Sequence, residues 1–248
     1  MIQKLKLIKD NLPEVVLALK RRGIKIVSYN DVNELILPEP LSPDNLVEYL
    51  RLLNHYYFRK VMSEYFETLK GKSAGRLITN PLYSRYLERM KKLGINNYKN
   101  CQKSFGVTLE WFIAYSLEKE YGISSIWKTK LNIVRGGDFD VIAFLEGKII
   151  YIECKSSPPQ NISIEEIKRF IKRLSALKPS AALLYIDTTL KIERNIVNNI
   201  IELLKPIKSL LKLKEGVYRI NSNTYISSSE RNLISNLGTV IKDIIYIA

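Results

Sequence analysis

The dipeptide Glu146-Gly147 is flanked by two apolar runs, Phe139 to Phe144 before it and Lys148 to Ser156 after it. Two such runs around a two-residue turn of this composition predict a β-hairpin. Side chains alternate between the faces of a strand. Ile149, Tyr151, Glu153 and Lys155 therefore share one face of the second strand, and Ile150, Ile152 and Cys154 the other. Both faces are apolar for most of their length, which predicts a central, buried strand. Glu153 and Lys155 then stand side by side at the end of a buried strand, where charge is costly unless paired or bound to metal.

The turn also fixes what faces Glu153. Reflection about the midpoint between Glu146 and Gly147 sets Asp140 opposite Glu153, give or take a residue or two if the turn carries a bulge. A third carboxylate comes from the helix expected over Val107 to Tyr121. There Glu110, Ile113, Ala114, Leu117 and Tyr121 fall on one stripe, so Glu110 is a charge on an otherwise apolar face. Carboxylates are hard oxygen ligands suited to Mg²⁺ or Mn²⁺. Such ions polarise a phosphate and acidify a bound water, and a neighbouring lysine can orient that water and offset phosphate charge. Asp138 shares a face with Asp140 and is the alternative ligand if the register slips. Glu110 could instead form an internal salt bridge, and Glu153 with Lys155 a solvated sheet edge.

Around this hairpin, periodicity predicts a mainly helical stretch over residues 1–100. A helix over Pro13 to Arg22 stops at Gly23, and a short strand follows over Ile24 to Tyr29. Ser42-Pro43-Asp44 starts a helix that runs on to about Lys70. Asn80-Pro81 starts another, ending at Gly94. Residues 95–105 are polar and without period, and set a boundary or hinge. Beyond it the order is helix (from Val107), strand (Ile126 to Val134), the hairpin pair, and a helix opened by the capping box at Ser163 and Glu166. A strand (Ala181 to Asp187) and a helix (Ile192 to Leu204) follow. A strand pair near Val217 to Ile226 and a helix from about Glu230 close the chain.

The hydrophobic fraction of 46% is enough to build a core, and the net charge of +14 points to a polyanionic partner, nucleic acid first. The Ile-, Lys- and Tyr-rich composition also suits a thermophilic source. Two cysteines exclude a disulfide framework and a four-thiolate cluster. The single histidine, His55, excludes most zinc-enzyme layouts and reads as a structural or surface residue. Apolar runs are short and broken by lysine, as at Leu5-Lys6-Leu7, so neither a membrane span nor a secretory signal is expected, and the protein is expected in the cytoplasm.

Gly136-Gly137-Asp138-Phe139-Asp140-Val141, followed by Tyr151-Ile152-Glu153-Cys154-Lys155-Ser156 and preceded by Gly106-Val107-Thr108-Leu109-Glu110, resembles the PD-(D/E)xK nuclease superfamily, and within it archaeal resolvase-like and CRISPR-associated nuclease domains. The likeness covers about residues 104–204; Phe139 stands where the family name has Pro. It implies an α/β, restriction-endonuclease-like core (helix, three-stranded antiparallel meander, helix, strand, helix) over 101–205, beside a mainly helical region (1–100) and a C-terminal extension (206–248). It further implies a Mg²⁺- or Mn²⁺-dependent nuclease acting on DNA. Asp140, Glu153 and Glu110 would hold the metal, and Lys155 would assist the water.

Lys168, Arg169, Lys172 and Arg173 form a basic face on the helix after this strand, suited to backbone phosphates or simply to solvent. Residues 1–100 would bind substrate or form a homodimer. Tyr56, Tyr57, Tyr83 and Tyr86 could stack bases but stand at core spacing. Cys154 points away from the proposed site. Gly71-Lys72-Ser73 is not a phosphate loop, since Phe66 occupies its first glycine position. The competing expectation is a nuclease-like fold that binds nucleic acid or assembles without cutting; a ligand-sensing defence effector ranks below both.

Overall fold

The computed structural model describes residues 12–33, 41–68, 80–95, 105–207, 209–229 and 232–247. Leu5-Lys6-Leu7, Gly71-Lys72-Ser73, Cys101 and most of the polar boundary stretch lie outside them. The fold is α/β. Eight strands form one open mixed sheet: β1 (Ile26–Asp31), β2 (Ser124–Leu131), β3 (Phe139–Leu145), β4 (Lys148–Lys155), β5 (Ala181–Ile186), β6 (Leu210–Lys214), β7 (Val217–Ile220) and β8 (Thr224–Ser228), in spatial order 1-2-3-4-5-8-7-6. β1 to β4 run antiparallel to one another, whereas β4, β5 and β8 are mutually parallel.

The described helices are α1 (Glu14–Arg21), α2 (Pro43–Leu53), α3 (Tyr56–Thr68), α4 (Pro81–Lys92), α5 (Phe105–Tyr121), α6 (Ile164–Leu177), α7 (Asn198–Leu203) and α8 (Leu233–Tyr246). They cover the sheet from both sides. Tyr49, Phe58, Met90, Trp111 and Leu237 pack against Ile150, Ile152 and Cys154. On the other face Val15, Leu19, Phe170, Ile196 and Ile200 pack against Ile149 and Tyr151. The alternation read from β4 is thus the alternation of the two cores, and β4 is buried on both faces because helices lie on both.

The hairpin turn follows its chemistry: Glu146 and Gly147 both take positive φ (47° and 80°), as a tight two-residue turn requires. The Ser163–Glu166 capping box opens α6 in both its hydrogen bonds. Two expected helices are present in altered form. The helix from Pro43 is not continuous: it ends at Leu53 and α3 starts at Tyr56. The Leu53 carbonyl, freed by the break, accepts a hydrogen bond from Arg59 Nη1 at 2.7 Å, so a buried arginine satisfies the end that a longer helix would have satisfied internally. The helix expected over Ile192 to Leu204 is a π-helical turn (Glu193–Val197) leading into the short α7. Neither β6 nor the membership of β1 in the same sheet as the hairpin was expected.

Arg59 ties the helices to the sheet. It is 1% exposed, pairs with Asp187 at 2.7 Å just past β5, and donates to Ser229 Oγ at 3.0 Å beyond β8. Ser229 Oγ also bonds Asp187 and Tyr185. Asp187 N–H in turn donates to the Lys155 carbonyl. No helix among the described residues is long and apolar enough to cross a membrane.

Candidate active site

The β3–β4 register runs from Leu145↔Lys148 to Val141↔Ile152 without a slip. Continuing it places Asp140 across from Glu153, as the reflection about the turn requires. The ladder stops one step short of that pair, and Asp140 takes over. Its Oδ2 accepts the Cys154 N–H at 2.7 Å, so a side-chain carboxylate fills the place of a backbone carbonyl. Strand alternation also fails here. Phe139 and Ile142, three apart, both belong to the α1–α6 core, while Val141 faces α5. A regular strand forbids that parity. β3 rotates at Asp140, and this is what turns the carboxylate into the gap between strands.

Glu153 is 2% exposed and fully engaged. Lys155 Nζ donates to Oε1 at 2.8 Å. Arg173 Nη1 donates to Oε2 at 2.7 Å, and the Tyr151 hydroxyl donates to the same oxygen. Lys155 also lies 3.7 Å from Glu166. Arg173 reaches in from α6, its guanidinium over the Phe139 ring and against Gly137, whose missing Cβ would stand 2.7 Å from Nη2. Burial is the largest influence on Lys155 and Arg173 and opposes their charges, but the groups around them, Glu153 foremost, together raise both pKa values.

Glu110 comes from α5, which packs across β2, β3 and β4, and remains half-buried while Ile113, Ala114 and Leu117 below it are buried. Burial, then Asp140 and Asp138, push its carboxyl up to about 9, with Lys128 opposing. Burial, then Glu153, push Asp140 up to about 7, against the pull of the Cys154 N–H. Neither acid has an ion-pair partner among the described residues. Burial also raises the Cys154 thiol, and the side chain lies in the α5-side core as expected.

One end of the sheet therefore brings Glu110, Asp140, Glu153 and Lys155 into a common electrostatic neighbourhood. The acids are not yet a ligand set: among the described residues, no three His, Cys, Asp or Glu side chains stand close enough to hold a metal. By donor chemistry Asp140 and Glu110 fit a hard divalent cation, being oxygen donors whose crowding and burial disfavour ionisation until a cation offsets the charge. Glu153 fits once Lys155 or Arg173 releases an oxygen.

Of the basic face, Lys168, Arg169 and Lys172 are exposed, and Lys168 pairs loosely with Glu165 at 3.8 Å. Arg173 instead belongs to the site. The signal was present: Arg173 falls three residues after buried Phe170 and four before buried Leu177, so it is a charge on the apolar stripe of α6, as Glu110 is on α5. Of the tyrosines, Tyr83 and Tyr86 pack on the core and Tyr57 is half exposed. The chain matches no protein-family model and no curated protein.

Proposed function

We propose that this chain is a metal-dependent nuclease with a restriction-endonuclease-like core, hydrolysing phosphodiester bonds of DNA with Mg²⁺ or Mn²⁺ in the cytoplasm. One observation carries the reading. A buried carboxyl, Asp140, and a half-buried one, Glu110, are both pushed toward protonation by burial and by neighbouring acids, Asp140 by Glu153 and Glu110 by Asp140, at one end of the sheet beside the Lys155 amine. Such crowding is expensive in a fold unless a cation relieves it.

In this reading Asp140 and Glu110 would hold the cation, with Glu153 as a further ligand if Arg173 gave up its oxygen. The bound cation would polarise the scissile phosphate and acidify a water. Lys155, 2.8 Å from Glu153, orients that water and offsets charge gathering on the phosphate. Arg173, once released, is a second partner for phosphate oxygens. Exposed Lys168, Arg169 and Lys172 on the same helix bind the flanking backbone, in keeping with the net charge of +14.

Plasmid, single-stranded and branched DNA are incubated with the protein in Mg²⁺, Mn²⁺ or EDTA, alongside Asp140→Asn and Glu153→Gln. Cleavage should need the metal and fall roughly a hundredfold or more in each variant, the scale of losing one preorganised transition-state contact. Metal-independent cleavage, or cleavage untouched by both changes, refutes the assignment.

The engagement of both Glu153 oxygens by Lys155 and Arg173 favours a second reading: a nuclease-like domain that binds nucleic acid without cutting. It predicts salt-sensitive binding, no cleavage, and a melting temperature indifferent to Mg²⁺.

A further inference from the structure

Lys128 is the residue of β2 that faces Asp140, between the pairs Trp127↔Val141 and Thr129↔Phe139. Its φ is +48°, within a strand whose register to β3 does not shift, although the Lys128–Asp140 step itself is not paired. On the other side, β2 pairs with β1 through Asn30↔Trp127 and Ser28↔Lys130, with a register shift between them. Lys128 and Thr129 therefore stand against Tyr29 alone. This is a β-bulge whose first residue is left-handed, a position that strongly favours glycine. The bulge switches faces as well: Ile126 and Leu131, five apart, both enter the α1–α6 core. It sits beside the rotation of β3 at Asp140, so the two irregularities are one feature spanning two strands.

A lysine held in glycine's conformation points to a demand on its side chain, because strain of this kind gathers at functional sites. The side chain is half-buried and makes no ion pair or hydrogen bond with any described residue. Its charge is felt at Glu110, where it opposes the crowding of the acids. Lys155 and Arg173 are committed to Glu153, whereas Lys128 has no such commitment among the described residues.

We infer that Lys128 is a phosphate-binding residue of this site, with the β2 bulge presenting its ammonium to the nucleic-acid backbone beside Asp140 and Glu110. The inference rests on the reading that this end of the sheet receives a nucleic acid, but not on cleavage.

Binding of a fluorescent DNA duplex and a single strand is measured in EDTA across a salt series, for the full chain and for Lys128→Met, Lys128→Gly and Lys128→Arg. The Met and Gly variants should bind about tenfold more weakly, the cost of losing one charge-assisted contact. Their slope of log affinity against log salt should flatten by about 0.9 on duplex. The Arg variant should keep the slope. Lys128→Gly should melt no lower than the parent, since glycine relieves the left-handed backbone. An unchanged slope, a lower melting temperature for Lys128→Gly, or no binding by the parent chain overturns the inference. The same proteins assayed with Mg²⁺ separate the two readings. A parent that binds through Lys128 without cutting fails as a nuclease and leaves the inference standing; one that cuts with a Lys128-independent slope does the reverse.

Discussion

Replacing Asp140 by Asn should make the metal-free protein more stable, by an amount set by pH. Burial and Glu153 move this carboxyl from its ordinary 3.8 to about 7. At about 1.4 kcal/mol per pH unit, keeping it ionised at pH 8 costs about 4 kcal/mol. Relaxation of the structure and water entry around the charge lower the expected gain to about 2–4 kcal/mol. The sign follows from linkage. The folded-state value is raised, so the folded protein holds a proton that the unfolded chain has lost, and stability present below about pH 4 is lost as pH rises through about 7. Asn retains an oxygen for the Cys154 N–H and carries no charge. Urea unfolding in EDTA at half-unit steps from pH 4 to 9 should show the parent's stability falling relative to Asp140→Asn most steeply up to about pH 7, and further toward about 9, where Glu110, raised in part by the Asp140 charge, ionises in the parent. Added Mg²⁺ at pH 8 should stabilise the parent and leave the variant nearly unmoved. Parallel pH profiles for the two proteins would refute the claim that the acids crowd without a cation.

Arg59→Met strands the Asp187 carboxylate in the core and should cost about 3–5 kcal/mol in chemical denaturation, with Asp187→Asn in the same chain recovering part of it. A loss below 1 kcal/mol would mean that the pair is not what joins α3 to the sheet. Gly137→Ala sets a methyl carbon 2.7 Å from Arg173 Nη2 at φ +77°. It should cost about 1–2 kcal/mol, push Arg173 off Glu153, and tighten Mg²⁺ binding measured by calorimetry. Unaltered Mg²⁺ affinity would show that Arg173 does not compete for Glu153.

The hairpin, its register and the two faces of β4 were legible because each depends on residues close in sequence: a turn dipeptide fixes the pairing, and alternation fixes the faces. The capping box at Ser163 and the Gly94 helix stop were legible for the same reason. What escaped depends on distant partners. The break at Asn54-His55 needs Arg59, whose side chain leaves its own helix to pair with Asp187, 128 positions away. β6 shows little apolar alternation, being an exposed edge of Leu210, Leu211 and Lys212. The bulge at Lys128 has no glycine to mark it. Arg173 could have been found by the stripe argument used for Glu110, but the two basic pairs Lys168-Arg169 and Lys172-Arg173 disguised it as part of a solvated face.

The rung that Asp140 supplies to the β3–β4 ladder makes position 140 ambiguous to any screen that scores only loss. A substitution that cannot accept a hydrogen bond orphans a backbone amide at the same stroke that it deletes an acid, so unfolding and inactivation arrive together. Only an isosteric amide keeps the two apart, and libraries restricted to alanine would credit chemistry with a penalty that belongs partly to the scaffold.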